Sequence, residues 1–240
     1  MNKIALFLPC YNEALRLNIQ SILGFIQEQN YLIDFYFIDD GSKDLTGDVI
    51  KDNLVNHKNS FLIKLNHNLG KGNALRNGIL KHYYKPYKYY GFVDADLDIP
   101  LSQVIKLYEE LENSQYLIAI TNRNLYHNFD FKRVRSFSSI AMVQIANNII
   151  QLQPKIKDTQ CGCKLFKRDV VEICFGNEFI SEWLFDIEIF LRMKKNMISA
   201  RETICEVPLK DLGKSVKSNF EFGQNFKIVK QLLRINAYYN

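Results

Sequence analysis

The chain has 240 residues, 47% hydrophobic and 24% charged; at about 150 residues per domain this suits one large domain, able to bury roughly 70 to 75% of its extended surface. Such a composition excludes disordered, collagen-like and disulfide-scaffold classes, and no window nears the roughly 18 uninterrupted apolar residues of a membrane span. The net charge of +5 is unevenly placed, with 12 Lys+Arg against 14 Asp+Glu in residues 1–120 and 19 against 12 in residues 121–240, so the second half should face an anionic partner.

The chain passes from Lys3 into Ile4–Leu8 and then Pro9, too short an apolar core for a signal peptide, so a cytoplasmic location is expected. Cys10, Cys161, Cys163, Cys174 and Cys205 are odd in number and scattered. Without a second pair at zinc spacing they read as buried, reduced thiols. The basic residues lack the clustering and aromatic alternation of a nucleic-acid platform, so no nucleic acid is expected as partner.

In chain order, the apolar runs Ile4–Leu8, Ile33–Ile38, Phe61–Leu65, Tyr89–Val93 and Leu117–Ile120 read as strands buried on both faces. Between them Leu15–Gln29, Thr46–His57, Lys71–Tyr83 and Leu101–Glu112 read as helices. Repeated strand–helix–strand units predict an α/β fold with a mostly parallel sheet and right-handed crossovers. Further on, Ser136–Leu152 and Trp183–Lys195 read as helices, and Lys164–Phe166 and Ile198–Val207 as strands. The tail carries Phe226, Val229, Leu232, Leu233 and Asn236 at helical spacing, interleaved with Lys227, Lys230 and Arg234. No repeat or linker divides the chain, so residues 1–240 are expected to form a single domain.

Ligands of such sheets lie at the carboxyl ends of the strands. Three polar clusters stand there: Pro9-Cys10-Tyr11-Asn12-Glu13, Asp39-Asp40-Gly41-Ser42 and Asp94-Ala95-Asp96-Leu97-Asp98. Two carboxylates about 4 Å apart repel by roughly 4 kcal/mol at an effective dielectric near 20, and a divalent cation is the economical remedy. Asp94-x-Asp96-x-Asp98 offers hard oxygen ligands for Mg²⁺ or Mn²⁺. A calcium loop would need Gly and Glu where Ile99 and Ile105 stand. The other readings of this motif are a phosphatase of the haloacid type and an acidic turn capping the next helix. Lys71-Gly72, at a strand-to-helix turn, suits an anion but lacks the P-loop spacing, and an ordinary loop is the alternative. Asp39 and Asp40 could accept from a base or ribose, or Asp40 could cap a helix. Tyr11 could stack on a base or simply pack. Asp186 and Glu188 could act as acids or bases, or only complement a helix N-terminus.

Taken together, Pro9–Glu13, Asp39–Ser42, Gly70-Lys71-Gly72, Asp94-Ala95-Asp96 and Thr121-Asn122-Arg123 resemble, in order, the motifs of inverting family 2 glycosyltransferases of GT-A fold. Asp158–Phe166, Phe185–Glu188 and Glu206-Val207-Pro208 extend the likeness to the branch that moves glucose or a related sugar from a nucleotide to a polyprenyl phosphate, similar to dolichyl-phosphate glucosyltransferases and, less closely, dolichol-phosphate mannose synthases. The resemblance implies that Pro9, Tyr11, Glu13, Ile38, Asp39 and Asp40 hold the nucleoside. Asp94 and Ala95 would reach the ribose and diphosphate, Asp96 and Asp98 the metal, and Lys71, Arg123 and Arg135 the phosphates. Either Lys214 or Lys217 would supply a further charge, and Asp186 is the candidate base. Residues 1–123 would serve the nucleotide sugar and metal, and residues 124–240 the acceptor. The implied partners are UDP-glucose and a polyprenyl phosphate, or else a glycan hydroxyl. Separately, Lys132, Arg133 and Arg135 together with the basic, amphipathic tail helix suit peripheral docking on an anionic membrane, the alternative being a tail helix that packs on the sheet with its basic residues solvated. A non-catalytic nucleotide-sugar binder is the competing class.

Overall fold

The computed structural model describes residues 3–123, 137–196, 200–209 and 224–239. Seven strands form one sheet: β1 (Ile4–Cys10), β2 (Ile33–Asp39), β3 (Ser60–Lys64), β4 (Tyr89–Val93), β5 (Ile118–Asn122), β6 (Cys163–Lys167) and β7 (Ile204–Pro208). The helices are α1 (Ile19–Glu28), α2 (Thr46–Leu54), α3 (Lys71–His82), α4 (Ser102–Glu112), α5 (Phe137–Ile150), α6 (Arg168–Phe175), α7 (Phe185–Lys195), α8 (Ala200–Thr203) and α9 (Gln224–Tyr239).

The strand order is β3-β2-β1-β4-β6-β5-β7. β1, β2, β3 and β4 pair in parallel, as do β5 and β7, whereas β6 runs antiparallel between β4 and β5. Along β1, Ile4, Leu6 and Leu8 join a core layer with α1, α2 and α4, while Ala5 and Phe7 join the opposite layer with α3, α5, α6, α7 and α9. Helices thus cover both faces, which is why the strands read as continuous apolar runs.

Three boundaries differ from expectation. α1 begins at Ile19 rather than Leu15, because Glu13 O accepts from Arg16 N and Leu17 N in a tight turn and the Asn18 side chain then accepts from Ser21 N as the cap. The run expected as one strand from Ile198 splits into α8 and the shorter β7, its first residues lying outside the described ones. α6 was not expected at all: Val170, Val171, Cys174 and Phe175 bury one helical face, but its branched residues also read as strand.

Chain direction places the carboxyl ends of β1, β2, β4, β5 and β7 on one rim, together with the start of β6 and the N-terminus of α3. Strand order reverses between β1 and β4: the chain builds outward through β2 and β3, then returns to the other side of β1. A crevice opens at such a switch point, where open α/β sheets take their ligands.

Candidate active site

The loops after β1 and β2 are stitched together at the switch point. Asn12 N donates to Ser42 Oγ at 3.0 Å, Lys43 N to Asn12 Oδ1 at 2.9 Å and Glu13 N to Thr46 Oγ1 at 2.8 Å. Gly41, at φ 67°, is obligatory there: a Cβ would lie 2.5 Å from the His67 carbonyl carbon. Tyr11 stands 39% exposed on this surface, and Pro9 is half-buried. The Glu13 carboxylate accepts from Arg16 at 2.8 Å, yet burial, outweighing Arg16, keeps its affinity for a proton above the ordinary.

Asp39 and Asp40 are both nearly buried and both spend oxygens on the protein. Asp39 Oδ1 accepts from Ser42 N at 2.9 Å, and Asp40 Oδ1 from Leu69 N at 2.8 Å. Asp40 therefore fixes the loop that delivers Gly70 and Lys71, and burial raises its pKa despite the amides of Leu69 and Gly70. Ile38, at the end of β2, has a side chain that is 0% exposed and packs beside Gly78 of α3. Ala95 is likewise buried in the core.

At the end of β4, Lys71 Nζ lies 2.5 Å from Asp94 Oδ1. Burial opposes the ammonium charge, but Asp94, Asp186 and Asp96 together overcome it and hold the Lys71 pKa above the usual lysine range. The glycines around Lys71 differ in task. Gly70 takes φ 79°, which turns the chain into α3, whereas a Cβ on Gly72 would lie 2.6 Å from Phe185 Cβ. Gly72 thus lets the starts of α3 and α7 touch, which brings Lys71 and Asp186 into one cluster.

Asp186, in the first turn of α7, is 5% exposed and pairs at 2.7 Å with Lys164 Nζ, itself 0% exposed. Burial raises the Asp186 pKa, with Lys164 and Lys71 opposing and Asp94 reinforcing the shift. Sequence reasoning missed Lys164. The available signal was a lysine inside the apolar run Cys163–Phe166 of a central strand, where a charge persists only with a partner. It also missed Gly162, whose carbonyl accepts from Asp94 N at 2.9 Å and whose missing side chain makes room for the Asp94 carboxylate.

Asp96 is exposed, with Oδ1 accepting from Asp98 N at 3.1 Å; burial of its surroundings and the charge of Asp94 raise its pKa. Among the described residues no three His, Cys, Asp or Glu side chains converge as a ready-made metal cage. The donor set nonetheless fits a magnesium or manganese ion held by one or two carboxylates, with substrate phosphates completing its shell. The repulsion from Asp94, which adds to the effect of burial on Asp96, is what such an ion would relieve.

Arg123, just past β5, grips the fully buried Asp158 with two parallel contacts, Nε at 2.8 Å and Nη2 at 2.9 Å. Glu206 of β7 accepts from Lys157 N, Asp158 N and Asn122 Nδ2, so three segments meet at one carboxylate. The guanidinium fork of Arg123 is committed to Asp158, and a third of the side chain remains open to the rim. Arg135, Lys214 and Lys217, expected at the phosphates, lie outside the described residues.

A sheet with this switch point and acidic rim has the architecture of GT-A glycosyltransferases, and solved structures bear that out. Glucosyl-3-phosphoglycerate synthase of Mycobacterium tuberculosis, solved with Mn²⁺, uridine diphosphate and phosphoglyceric acid, superposes with a TM-score of 0.70 at 17% identity, covering 98% of this chain and 78% of that one. The same enzyme with Mn²⁺, UDP-glucose and phosphoglyceric acid gives 0.68 at 16% identity, covering 98% and 80%.

Residues 5–175 match the model of glycosyl transferase family 2, and the chain belongs to that family. It is a glycosyltransferase. Over 98% of its length it is 30% identical to the dolichyl-phosphate beta-glucosyltransferase of Dictyostelium discoideum, spanning 74% of that protein. It is 27% identical to one from Trichomonas vaginalis, with coverage of 98% and 73%. The Saccharomyces cerevisiae enzyme is 28% identical over 83% of this chain and 65% of its own.

Proposed function

We propose that this enzyme transfers glucose from UDP-glucose to a polyprenyl phosphate of dolichyl type, inverting the anomeric centre, with Mg²⁺ or Mn²⁺ at Asp96 and Asp98. The observation that carries the proposal is the cluster at the carboxyl end of β4, where Lys71 lies 2.5 Å from Asp94 Oδ1 and feels the charge of Asp186, a cation and two carboxylates beside the crevice. Glucose and uridine are favoured because the curated relatives are named for glucosyl transfer and the structural neighbours were solved with uridine nucleotides.

In this reading Tyr11 and Pro9 border the uracil, with Glu13 and Asp39 beside them. Asp40 acts indirectly, through the Leu69–Lys71 loop. Asp94 and the backbone of Ala95 face the ribose and diphosphate. Lys71 supplies positive charge near the leaving group, aided by Arg123, Arg135 and either Lys214 or Lys217. A magnesium or manganese ion held by Asp96 and Asp98 would supply charge stabilisation for the departing nucleoside diphosphate. Residues 1–123 serve the donor and residues 124–240 the acceptor, all within one domain.

Asp186 is the proposed base for an acceptor that reaches the site protonated: an acceptor O–H bond breaks as an O–H bond to the carboxylate forms. A phosphate acceptor, with a second pKa near 6, is mostly dianionic at pH 7 and asks little of a base. A carboxylate 5% exposed and paired to Lys164 suits that modest demand better than full deprotonation of a sugar hydroxyl.

No helix among the described residues is long and apolar enough to cross a membrane. Exposed Trp183, Val229 and Leu233 lie near Lys230 and Arg234, and Trp183 N donates to Gln231 of α9. This patch supports peripheral docking on the anionic cytoplasmic face of a membrane.

Thermal shifts with UDP, GDP, dTDP and CMP sugars plus Mn²⁺ test the donor, since a ligand at 100 times its Kd stabilises by about 2.7 kcal/mol. Transfer of label to a polyprenyl phosphate, compared with soluble sugars, tests the acceptor. Preference for a GDP-sugar overturns the glucose assignment, and transfer to soluble sugars alone makes the enzyme a glycan-extending transferase.

A further inference from the structure

We infer that Lys164 is a positioning residue for the transfer reaction, holding the Asp186 carboxylate in place beside Lys71; the inference rests on the reading of Asp186 as the acceptor-side base.

Lys164 is the second residue of β6, opposite Phe92 of β4 on one side and Ile120 of β5 on the other, and is 1% exposed. A lysine buried there costs several kcal/mol in lost hydration, and an apolar residue would stabilise the sheet at least as well. Its ammonium is fully used: Nζ donates to Cys161 O at 2.5 Å, lies 2.7 Å from Asp186 Oδ1 and stands 5.5 Å above the Phe92 ring. β6 is hydrogen-bonded on both edges, so it is a rigid mount for that charge. Asp186 sits instead at the start of a helix, where a small rotation would displace its carboxylate from the crevice.

Three charged groups face Asp186: Lys164 from β6, Lys71 from α3 and Asp94 from β4. Asp94 is already paired with Lys71, so Lys71 is shared between two carboxylates while Lys164 is given to Asp186. Without Lys164, burial and Asp94 act on Asp186 with only Lys71 opposing them. The carboxyl then holds its proton to higher pH, and the acid limb of kcat against pH moves upward.

The test compares wild type, Lys164→Met, Asp186→Asn and the double variant by kcat, donor KM and pH profile, with fold checked by UDP affinity and thermal unfolding. With a polyprenyl phosphate as acceptor, which asks little of a base, Lys164→Met is expected to lower kcat only about tenfold, to leave the donor KM within about threefold, and to raise the acid limb. In the Asp186→Asn background the same substitution should change kcat little. Lys164→Gln, which keeps a donor for Cys161 O, replaces Lys164→Met if the latter does not fold. Wild-type kcat in a folded Lys164 variant, or an equal loss with and without Asp186, overturns the inference while leaving the role of Asp186 standing. Wild-type kcat in Asp186→Asn overturns the reading of Asp186 itself. Unfolding of both Lys164 variants assigns the residue to the fold alone and overturns the inference too.

Discussion

Replacing Gly162 with alanine should uncouple activity from stability. The glycine precedes β6 with a backbone that alanine can adopt, but the new methyl carbon would lie 2.3 Å from Asp94 Oδ2 and 2.6 Å from its Cγ. Contacts of a Cβ below 3.0 Å do not persist, so the carboxylate must retreat by about 0.7 Å or swing away from Lys71, now 2.5 Å distant. A displacement near 1 Å at a reacting site costs up to about 100-fold, equivalent to roughly 2.7 kcal/mol in the barrier. Asp94 is a third exposed and can move into solvent, so the fold should lose only about 1 kcal/mol, or some 2 to 4 °C in Tm. Label transfer from UDP-glucose, run beside thermal unfolding, should show kcat/KM down about 30- to 100-fold with Tm nearly kept. Wild-type kcat/KM in Gly162→Ala would refute the argument that Asp94 must sit where it does, and so would a loss of activity accompanied by general unfolding.

Asp96→Asn keeps the shape and removes the charge, so turnover should vanish while the Tm holds; near-normal activity at saturating Mn²⁺ sinks the metal role. Far from the site, Lys88 at 2.5 Å and the Tyr89 hydroxyl both bind Glu112 Oε1, and these bonds depress its pKa from the ordinary 4.5 to about 2. Stability from that contact is present above pH 4.5 and lost as pH falls toward 2. The Tm advantage of wild type over Glu112→Gln should therefore shrink across that interval, and a constant difference contradicts the assignment. Membrane docking is checked by co-sedimentation with anionic liposomes, which should fall sharply from low to physiological salt and on charge reversal of Lys132, Arg133 and Arg135, residues outside the described ones. A protein that stays in the supernatant at low salt removes the basis for docking.

Strand positions were legible because each strand is buried on both faces, and the acidic rim was legible because parallel strands deliver their carboxyl ends to one edge. The strand order was not. Lys164–Phe166 was recognisable as a strand, yet nothing local announces that it inserts between β4 and β5 rather than extending an edge, since that choice belongs to non-local pairing. Lys164 and Gly162 escaped for the same reason: their meaning lies in the register Val93↔Cys163 and Phe92↔Lys164, which sets each beside the end of β4. Asp40 and Arg123 were found as rim residues, but that their polar atoms are taken up by Leu69 and Asp158 depends on loops that no periodicity encodes.

The placement of β6 also bears on how this chain comes off a ribosome. β4 and β5 are made early and neither pairs with the other in the finished sheet; each has an edge waiting for a strand some forty to seventy residues further on. Until β6 and β7 arrive, the nascent first half exposes one unpaired edge of β4 and both edges of β5, the kind that recruit other chains. A fragment ending after β5 is therefore expected to aggregate, although it contains the whole acidic rim. Splitting this enzyme for reassembly would succeed, if anywhere, at a cut that keeps β4, β5 and β6 in one piece.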